Sequence, residues 1–311
     1  IGVRLVGSEM CIRDSRYSSS DVPMKLALGS VQFGLPYGIA NRDGQVSRDE
    51  AKIIIENARL ASIDTLDTAI AYGESETCLG EVGVAGFKVV TKLPTIPANI
   101  QDVDSWVSDH MQASMQRLNV TSLYAILLHR SDQLLGPKGE ALSQALEKLK
   151  VAGMVQKIGL SIYAPAELDL VMGIMPFDIV QAPFNVVDQS LYTSGWMQKL
   201  YSSGVEIHTR SAFLQGLLLM APASVPKRFN HWLPLWNEWH SWLSLNKISA
   251  VEACIGFVNA FPQITKIVVG VVSYEQLQQI IMASKLDIHP IWPVISSDDE
   301  RLINPSRWNS L

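Results

Sequence analysis

Polar side chains end each of the eight apolar runs that the sequence contains. They form a set along the chain: Gln32, Asp67, Lys92, His129, Ser161, Gln181, Arg210 and Ser273. Strand ends generally face water, so some polarity there is ordinary. Asp67, Lys92 and His129 nevertheless end three consecutive runs, and Tyr72 follows the first of them. Carboxylate, phenol, ammonium and imidazole groups transfer and steer protons, so we expect proton-transfer chemistry if the fold brings these four together.

The elements that must position these residues alternate along the chain from Lys25 onward. We identify eight short apolar runs: LALGSV, SIDTLDTA, FKVVTKL, LYAILLH, KIGLSIY, DIVQAPF, VEIHTR and KIVVGVV. Continuous apolar runs are typical of strands buried on both faces, and the stretches between them are long enough for helices that connect parallel strands. The sequence therefore predicts an α/β fold, a single-domain (β/α)8 TIM barrel, with its chemistry at the carboxyl ends of the strands. A doubly wound sheet is the competing architecture, but no GxGxxG turn follows the first run.

Seven of the intervening stretches have a helical pattern. They are residues 48–60, 103–118, 138–151, 164–172, 191–201, 250–260 and 274–283. Ser47, with Glu50 three residues later, predicts a capping box, and Ser273 precedes another helical pattern. Glycine and proline fall between the elements, and no change of composition marks a domain boundary.

Composition and charge favour an enzyme that acts on small molecules. The 311 residues are 48% hydrophobic and 18% charged, and the net charge of -5 gives no reason to expect a nucleic-acid partner. Cys11, Cys78 and Cys254 show no paired spacing, so we expect a reducing, cytoplasmic environment without disulfides or a zinc site. No apolar run has the roughly 18 to 20 residues that span a bilayer, so no membrane partner is expected. The six histidines form no HxH pair, and no metal site is predicted.

The first 23 residues do not fit the alternating pattern. Residues 1–15 have no clear period, and residues 18–21 have the composition of a linker. The stretch VGSEMCIRDS resembles sequence added by cloning and lacks the apolar core of a signal peptide. We therefore expect residues 1–23 to be a non-native or disordered leader, and Met24 to be the natural start.

Three segments, LDTAIAYGESE, VVTKL and ILLHR, resemble the active-site segments of the aldo-keto reductase family, in the right order and on the right strands. VQAPFN and RSAFLQGLL resemble segments of that family's sixth and seventh strands, and IVVGVVSYEQLQQI resembles its cofactor-phosphate segment. The resemblance covers nearly the whole chain after Met24. It implies an NAD(P)H-dependent oxidoreductase that reduces an aldehyde or ketone to an alcohol. Residues 24–311 would form the barrel, with a C-terminal tail over the substrate pocket.

By resemblance, the catalytic tetrad of the family falls on Asp67, Tyr72, Lys92 and His129. A carbonyl group that receives hydride also needs a proton, which Tyr72 would donate as general acid. A free tyrosine is a slow donor because its pKa is about 10, and a neighbouring ammonium group such as Lys92 stabilises the phenolate. Asp67 would keep Lys92 in place and charged. His129 would orient the carbonyl or share the proton.

Each of these four side chains, taken alone, has an ordinary structural explanation. Asp67 could cap a turn, Tyr72 could be a rim aromatic, Lys92 could end a strand in solvent, and His129 could be a structural histidine. Their occurrence together, in the expected order and context, favours the chemical interpretation.

The resemblance also implies a cofactor site, with NADP favoured and NAD as the alternative. Ser161 and Gln181 would bind the nicotinamide carboxamide, with Asn185 nearby. The phosphates would lie on the loop of residues 211–216 and at the helix start near Ser273, because free backbone N–H groups there favour anions. The implied cofactor residues are Ser161, Gln181, Arg210, Ser211, Leu214, Gly216, Gly270, Ser273 and Gln279.

Three positions depart from the common pattern of the family. Ile162 and Ile280 stand where many members have Asn, and Arg210 stands where many have a Tyr that stacks on the nicotinamide ring. A guanidinium plane can stack as well, and it adds positive charge. Ser273 has a second explanation as a helix cap. No Arg or Lys near it marks a 2'-phosphate, so the choice of NADP rests on the resemblance.

Four tryptophans lie at helical spacing in the long connection after the seventh run: Trp232, Trp236, Trp239 and Trp242. Such a stripe is typical of helix packing, with a substrate lid or a subunit contact as alternatives. The tail residues placed where family members shape the substrate pocket are Trp292, Arg301, Arg307 and Trp308.

Two functions other than reduction stay open. A Schiff-base lyase on the same fold would use Lys92 as its amine nucleophile, and borohydride would trap a substrate there. A barrel that keeps the cofactor site could also serve as a redox-sensing or regulatory binding subunit. The carbonyl substrate does not follow from the fold, since relatives of this fold reduce sugars, steroids and small aldehydes. A homo-oligomer is also left open.

Overall fold

The computed structural model describes residues 24–288 and 290–310, so the predicted leader at residues 1–23 lies outside the described residues. Eight parallel strands follow one another in sequence order around a closed barrel, and the last strand pairs with the first. The strands are β1 (Leu26–Gly29), β2 (Thr65–Asp67), β3 (Lys88–Leu93), β4 (Leu123–Leu128), β5 (Val155–Ser161), β6 (Ile179–Pro183), β7 (Glu206–Arg210) and β8 (Lys266–Gly270). Nearly all of their residues are buried, because helices cover the outer face of the barrel. The predicted (β/α)8 TIM barrel is confirmed.

Helices connect the strands, as parallel pairing requires. They are α1 (Val31–Gly34), α2 (Arg48–Leu60), α3 (Ser75–Val82), α4 (Val103–Leu118), α5 (Gly139–Val151), α6 (Ala166–Val171), α7 (Ser190–Thr193), α8 (Trp196–Ser202), α9 (Leu233–Asn246), α10 (Ala250–Asn259), α11 (Tyr274–Ser284) and α12 (Glu300–Ile303). Within the described ranges, no helix has the length and apolar character needed to cross a membrane.

All seven predicted helical segments contain helix, but the segment at residues 191–201 is two helices. Gly195 separates α7 from α8 and has a φ of 81°, a left-handed conformation that breaks the helical path. The sequence-based list also lacks α3. This helix has only eight residues and begins three residues after Tyr72, so its weak apolar pattern merges with the preceding turn.

The capping box predicted at Ser47 is only half formed. Ser47 accepts a hydrogen bond from the backbone N–H of Glu50, as predicted. The carboxylate of Glu50, however, accepts a hydrogen bond of 2.7 Å from the backbone N–H of Tyr274, at the start of α11. Glu50 therefore ties α2 to α11. A complete capping box is present at the start of α10, between Ser249 and Glu252.

Charged pairs lie inside the barrel at the N-terminal ends of the strands. Oε1 of Glu206 accepts hydrogen bonds from Tyr124 Oη (2.7 Å) and Lys157 Nζ (2.5 Å), and its Oε2 lies 3.2 Å from His208 Nε2. Burial alone would raise the pKa of Glu206, but its bonds with His208, Lys157 and Tyr124 outweigh burial and lower the pKa to about 2. These contacts connect β4, β5 and β7 across the barrel, far from the strand ends where chemistry is expected.

Helix α9 carries three of the four tryptophans of the stripe and packs them into the core. Trp236, Trp239 and Trp242 are buried, and the rings of Trp239 and Trp242 stack 5.8 Å apart. The three indole N–H groups donate to backbone oxygens of three different loops: Trp236 to Phe229 (3.1 Å), Trp239 to Leu218 (3.0 Å) and Trp242 to Ile291 (2.9 Å). Helix packing is therefore the role these residues have in the structure.

The C-terminal tail contacts helices and loops outside the strands. Trp292 packs edge-on against Phe257 of α10 and stacks with Trp242 of α9. Trp308 packs edge-on against Phe229. The other two tail residues singled out from the sequence form surface ion pairs: Arg301 with Asp299 and Arg307 with Glu300.

Candidate active site

A cavity of about 560 Å³ opens at the carboxyl ends of the strands. Its volume lies within the range of about 300–1,000 Å³ that is usual for small-molecule sites. Ten of the thirteen catalytic and cofactor residues expected from the sequence line it: Asp67, Tyr72, His129, Ser161, Gln181, Arg210, Ser211, Gly216, Gly270 and Gln279. In the described part of the chain, the lining ends at Ile280, so the tail residues do not contribute to it.

Lys92 lies beneath this cavity and is completely buried. Its Nζ donates to Oδ2 of Asp67 (2.6 Å) and to the backbone oxygen of Thr68 (2.8 Å), and it lies 3.5 Å from Oη of Tyr72. The three contacts match the three N–H bonds of an ammonium group. Burial alone would lower the pKa of Lys92, but the charge of Asp67 and the Tyr72 phenol outweigh burial and raise it. Lys92 is therefore a buried cation beside a phenol oxygen.

Asp67 has both carboxylate oxygens occupied. Its Oδ2 faces Lys92, and its Oδ1 accepts a hydrogen bond of 2.6 Å from Nε2 of Gln181. A buried carboxylate keeps its charge only when its oxygens are paired in this way. The side chain therefore stays fixed as the counter-ion of Lys92.

His129 lies beside Tyr72 at the cavity wall. The two ring centroids are 5.7 Å apart, and the ring planes are close to perpendicular. Burial lowers the pKa of His129 to about 4, with help from the positive charges of Lys92 and Arg210 and against the charge of Asp67. The imidazole is therefore neutral at physiological pH, and its ring nitrogens offer one hydrogen-bond donor and one acceptor.

The turn after β2 places Tyr72 by close backbone packing. The backbone N–H of Tyr72 donates to Ala69, and its carbonyl accepts from Ser75, where α3 begins. Helix α1 touches the same carbonyl, because a Cβ added at Gly34 would lie 1.8 Å from the Tyr72 oxygen. Only glycine allows this approach. The hydroxyl of Ser75 also donates to the backbone oxygen of Ser30, so the turn is held from the β1 side.

Glu76, in the first turn of α3, anchors that helix to β3 and α4. It is 1% exposed, and its Oε1 accepts 2.6 Å hydrogen bonds from the hydroxyls of Thr91 and Ser114. Its Oε2 accepts two hydrogen bonds from the guanidinium of Arg117, at 2.8 and 2.6 Å. Thr91 directly precedes Lys92, so this cluster links the helix after Tyr72 to the strand that carries the lysine.

Two of the departures noted in the sequence meet in one contact. Nη2 of Arg210 donates to the backbone oxygen of Ile162 (3.0 Å), and its Nη1 lies 3.3 Å from Oγ of Ser211. The guanidinium carbon lies 4.8 Å from the centre of the Tyr163 ring, within cation–π distance. The side chain of Ile162 is buried and does not line the cavity. Arg210 and Tyr163 both line the cavity.

The residues expected to bind phosphate fall into two groups. Those that line the cavity are Ser211, Gly216, Gly270 and Gln279. Leu214 is completely buried and is not a lining residue. Ser273 does not line the cavity either; it caps α11 by accepting a hydrogen bond from the backbone N–H of Gln276. Ser273 has the capping role that was its second explanation.

Asn185 does not reach the cavity. It is completely buried, donates to the backbone oxygen of Ser211, and accepts from the backbone N–H groups of Val187 and Asp188. It holds the end of β6 against the loop after β7. Its effect on a ligand would therefore pass through the position of Ser211.

A model of the aldo/keto reductase family matches residues 25–290 of the chain. The chain belongs to the aldo/keto reductase family. The resemblance drawn from the sequence is thereby confirmed, and membership implies an oxidoreductase. The family and the fold together support NAD(P)H-dependent carbonyl oxidoreductase activity in general.

Solved structures of aldo-keto reductases have the same barrel. The aldo-keto reductase AKR11C1 from Bacillus halodurans, solved in its holo form, has 17% sequence identity and a TM-score of 0.68, with 86% of this chain and 88% of that chain covered. A proposed aldo-keto reductase from Pseudomonas aeruginosa has 19% identity and a TM-score of 0.63, with 86% and 92% covered. At these identities the likeness establishes the fold. No curated protein matched the chain.

The chemistry of the cavity fits the nicotinamide cofactor of an aldo/keto reductase. Oε1 of Gln32 is buried at the cavity wall without a hydrogen-bond partner among the described residues, and a ligand N–H group would satisfy it. Two glycines narrow the wall. A Cβ added at Gly270 would lie 2.6 Å from the Gln32 amide, and one added at Gly216 would lie 2.4 Å from Cβ of Ala40. At these two glycines the backbone itself borders the cavity, and a larger residue at either position would fill part of that space.

Several lining residues were not expected from the sequence. They come mainly from the loop between α1 and α2, with one residue from the segment after β5: Tyr37, Gly38, Ala40, Asn41, Asp43 and Tyr163. The segment GIANRDG has the composition of a turn, and Asn41 organises it by bonding to its own loop at Gly44. Its position over the cavity depends on a tertiary bond, from Gln215 to Tyr37 Oη, which no local pattern indicates.

No metal site accompanies this cavity in residues 24–288 and 290–310. Groups of three or more His, Cys, Asp and Glu residues arranged to hold an ion are absent there. The two cysteines described, Cys78 and Cys254, are buried free thiols.

Proposed function

We propose that the chain reduces an aldehyde or ketone to an alcohol with NAD(P)H, and that Tyr72 donates the proton. The observation that carries this proposal is the position of Lys92 Nζ, 2.6 Å from Asp67 Oδ2 and 3.5 Å from Tyr72 Oη. A permanent ammonium beside a phenol stabilises the phenolate that remains after the proton leaves. This is the arrangement that a tyrosine general acid requires.

The proposed reaction has two parts. A bound nicotinamide supplies the hydride, since no side chain can do so. The chain's own residues receive the substrate: the carbonyl oxygen approaches Oη of Tyr72, and neutral His129 orients it by a hydrogen bond. As the oxygen gains charge, Tyr72 transfers its proton, and Lys92 balances the new negative charge on the phenol oxygen. Asp67 keeps Lys92 positioned throughout.

The cofactor residues that this proposal uses are the lining residues with polar groups. Ser161 and the Oε1 atom of Gln181 would bind the carboxamide, because Nε2 of Gln181 already donates to Asp67. Gln32 would add an acceptor. We propose NADP as the cofactor, with NAD as the alternative, and the support for this choice is the family.

The partner is proposed to be a small carbonyl compound, and the site of action the cytoplasm. The modest volume of the cavity supports a small substrate. The buried free thiols of Cys78 and Cys254 are compatible with a reducing compartment. A homo-oligomer remains a proposal that rests on the tryptophan-rich composition, although α9 buries three of those rings within the chain.

The Schiff-base alternative is less well supported. An amine nucleophile must be uncharged when it attacks, and a lysine used in this way has a lowered pKa. The pKa of Lys92 is instead raised by Asp67 and Tyr72. Its Nζ also lies beneath Asp67 and Tyr72, so a carbonyl carbon would meet the phenol first.

The test is oxidation of NADPH or NADH in the presence of nitrobenzaldehyde, followed by absorbance. We expect the Tyr72→Phe variant to lose turnover by at least about 100-fold, the usual contribution of a general acid. It should bind cofactor nearly as well as the parent protein. Tyr201→Phe, the same change on the exposed face of α8, is the matched control and should be fully active.

Three results would contradict the proposal. Full activity of Tyr72→Phe would remove Tyr72 as the acid. Tight binding of cofactor without turnover of any aldehyde or ketone in a broad panel would favour the regulatory binding subunit. Trapping of a substrate on Lys92 by borohydride would favour the lyase.

A further inference from the structure

Arg210 places a positive charge in the wall of the cavity. In the described part of the chain, Arg210 contacts the backbone oxygen of Ile162, the hydroxyl of Ser211 and the ring of Tyr163, none of which is an anion. Its charge also acts on the buried carboxyl group of Asp188, where it opposes the rise in pKa that burial causes. A guanidinium group stays protonated at any pH at which the protein is folded. The charge is therefore a constant feature of the site.

This charge acts on the proposed catalytic centre. Arg210 ends β7 and lines the same cavity as Tyr72 and His129, which follow β2 and β4. Its charge is among the causes that lower the pKa of His129, after burial and Lys92. Burial raises the pKa of Tyr37 at the cavity rim, and the charge of Arg210 acts in the opposite direction. A nicotinamide ring that transfers hydride to a carbonyl carbon beside Tyr72 must therefore lie close to the charge of Arg210.

We propose that Arg210 makes the site prefer the reduced cofactor over the oxidised cofactor. The inference rests on the proposed function. In the reaction, the carbonyl carbon gains hydride from the reduced nicotinamide, the carbonyl oxygen gains the proton of Tyr72, and solvent returns a proton to Tyr72. The nicotinamide ring is neutral before this step and carries one positive charge after it. Repulsion by Arg210 therefore weakens binding of the oxidised form and leaves the reduced form unaffected.

The contacts that hold Arg210 are suited to this role. Ile162 accepts through its backbone oxygen, so the bond to Arg210 does not depend on the side chain at position 162. Tyr163 is covered on one side by Arg210 at 4.8 Å, and Arg130 lies 5.9 Å from the same ring. Arg130 differs in that it pairs with Asp132, does not line the cavity, and lowers the pKa of His129 less than Arg210 does. It offers a matched control.

The experiment measures dissociation constants of NADPH and NADP+ by calorimetry on the whole protein, with NADH and NAD+ as a second pair. The phosphates are common to both members of each pair, so their contacts cancel when the two constants are compared as a ratio. We expect the ratio of oxidised to reduced dissociation constants to fall about ten-fold in Arg210→Met. Two unit charges several Å apart, partly shielded by solvent, give an effect of this order. Arg210→Lys keeps the charge and should keep most of the ratio, and Arg130→Met should leave it unchanged.

Each result decides the proposal. An equal loss of affinity for both forms in Arg210→Met would overturn it, since Arg210 would then bind the phosphates. Unchanged constants would overturn it as well, since the guanidinium would then face the substrate. In both cases the protein still binds cofactor, so the proposed function survives. If the parent protein binds neither form, the proposed function fails and this inference fails with it.

Thermal unfolding of Arg210→Met, Arg210→Lys and Arg130→Met checks that each variant is folded. The dissociation constants of Arg210→Met are used only if this variant unfolds cooperatively, with a melting temperature close to that of the parent protein. If it does not, the comparison of the parent protein with Arg210→Gln, which retains hydrogen-bond donors for Ile162 and Ser211, gives the same test. A ratio for Arg210→Gln equal to that of the parent protein would overturn the proposal.

Discussion

Gln181 of β6 reaches across the barrel and donates a hydrogen bond of 2.6 Å from Nε2 to Oδ1 of Asp67 on β2. The family resemblance assigned Gln181 to the cofactor, and its Oε1 is still available at the cavity wall, 3.5 Å from the hydroxyl of Ser161. Gln181 therefore contacts two sets of groups. One end of its amide holds the counter-ion of Lys92, and the other faces the proposed carboxamide site.

Replacing Gln181 with methionine tests this double role. Gln181→Met leaves Oδ1 of Asp67 buried without a donor, so the free energy of unfolding should fall by about 1–3 kcal/mol. Turnover should fall as well, because Asp67 and Lys92 lose a fixed position. Chemical denaturation and steady-state kinetics measure the two effects. Gln279→Met, on the exposed face of α11, should change stability by no more than about 0.5 kcal/mol. A Gln181→Met protein as stable as its parent would show that the bond is unimportant.

Glu76 is expected to matter for activity although it does not line the cavity. In Glu76→Gln the ion pair with Arg117 is lost inside the protein, and the free energy of unfolding should fall by about 2–4 kcal/mol. Because α3 follows directly after the Tyr72 turn, turnover should also decrease while the affinity for cofactor stays close to that of the parent. Thermal unfolding and calorimetry would measure this.

The control for Glu76 lies on the same helix. Glu81 pairs with Arg48 at the surface, where both side chains are more than a third exposed. Glu81→Gln should therefore change stability by less than about 1 kcal/mol. If the two variants were equally stable and equally active, the anchoring role of Glu76 would be wrong.

The sequence predicted the parts of this protein that depend on repeating patterns. Eight apolar runs predicted eight strands, and the rule that chemistry lies at the strand ends predicted that Asp67, His129 and Gln181 share one cavity. Lys92 shows the limit of that rule. It ends β3 as expected, yet its ammonium group lies below the cavity, because Asp67, Thr68 and Tyr72 accept its hydrogen bonds there.

Contacts made by backbone atoms were beyond prediction. The bond from Arg210 to Ile162 uses a carbonyl oxygen that every residue has, so the side chain at position 162 gives no hint of it. Leu214 was assigned by its position in a motif, and the structure places it in the core. The loop that carries Tyr37 lies over the cavity because of Gln215, 178 residues away in the chain.

Acid unfolding should depend on Glu206. The unfolded chain has a glutamate pKa of about 4.5, and the folded protein holds that of Glu206 at about 2. The unfolded state therefore takes up the proton first as the pH falls. The stabilisation is complete above pH 4.5 and is lost between pH 4.5 and about 2. In Glu206→Gln this part of the pH dependence should disappear, and stability at pH 7 should drop by about 1–3 kcal/mol.

Denaturation curves recorded at several pH values check this behaviour. The comparison variant is Glu238→Gln, on the exposed side of α9, which should reproduce the pH profile of the parent protein. Turnover at pH 7 should survive in Glu206→Gln, because the residue lies at the opposite end of the barrel from the cavity. A pH profile that matches that of the parent protein would refute the assignment.

Gly34 should be essential for the position of Tyr72. A methyl group at residue 34 would lie 1.8 Å from the Tyr72 carbonyl, so Gly34→Ala must push the turn away from α1. We expect turnover to fall at least ten-fold, since small displacements of a reacting group have effects of this size or larger. Cofactor affinity should change less. In Gly136→Ala the added methyl would meet its nearest atom at 3.5 Å, so that variant should behave like the parent. Normal kinetics of Gly34→Ala would contradict the argument.

The tryptophans of α9 give the protein an optical signal of its own. Trp239 donates to the backbone oxygen of Leu218, in the turn of residues Leu214–Leu219 that also supplies Gln215 and Gly216 to the cavity wall. Reduced nicotinamide absorbs light at the wavelengths at which indole emits, so excitation of these rings can pass to a ligand held a short distance away. Binding of a reduced nicotinamide in the cavity should therefore decrease the tryptophan emission of unlabelled protein. The Trp239→Phe variant would measure how much of that decrease comes from Trp239.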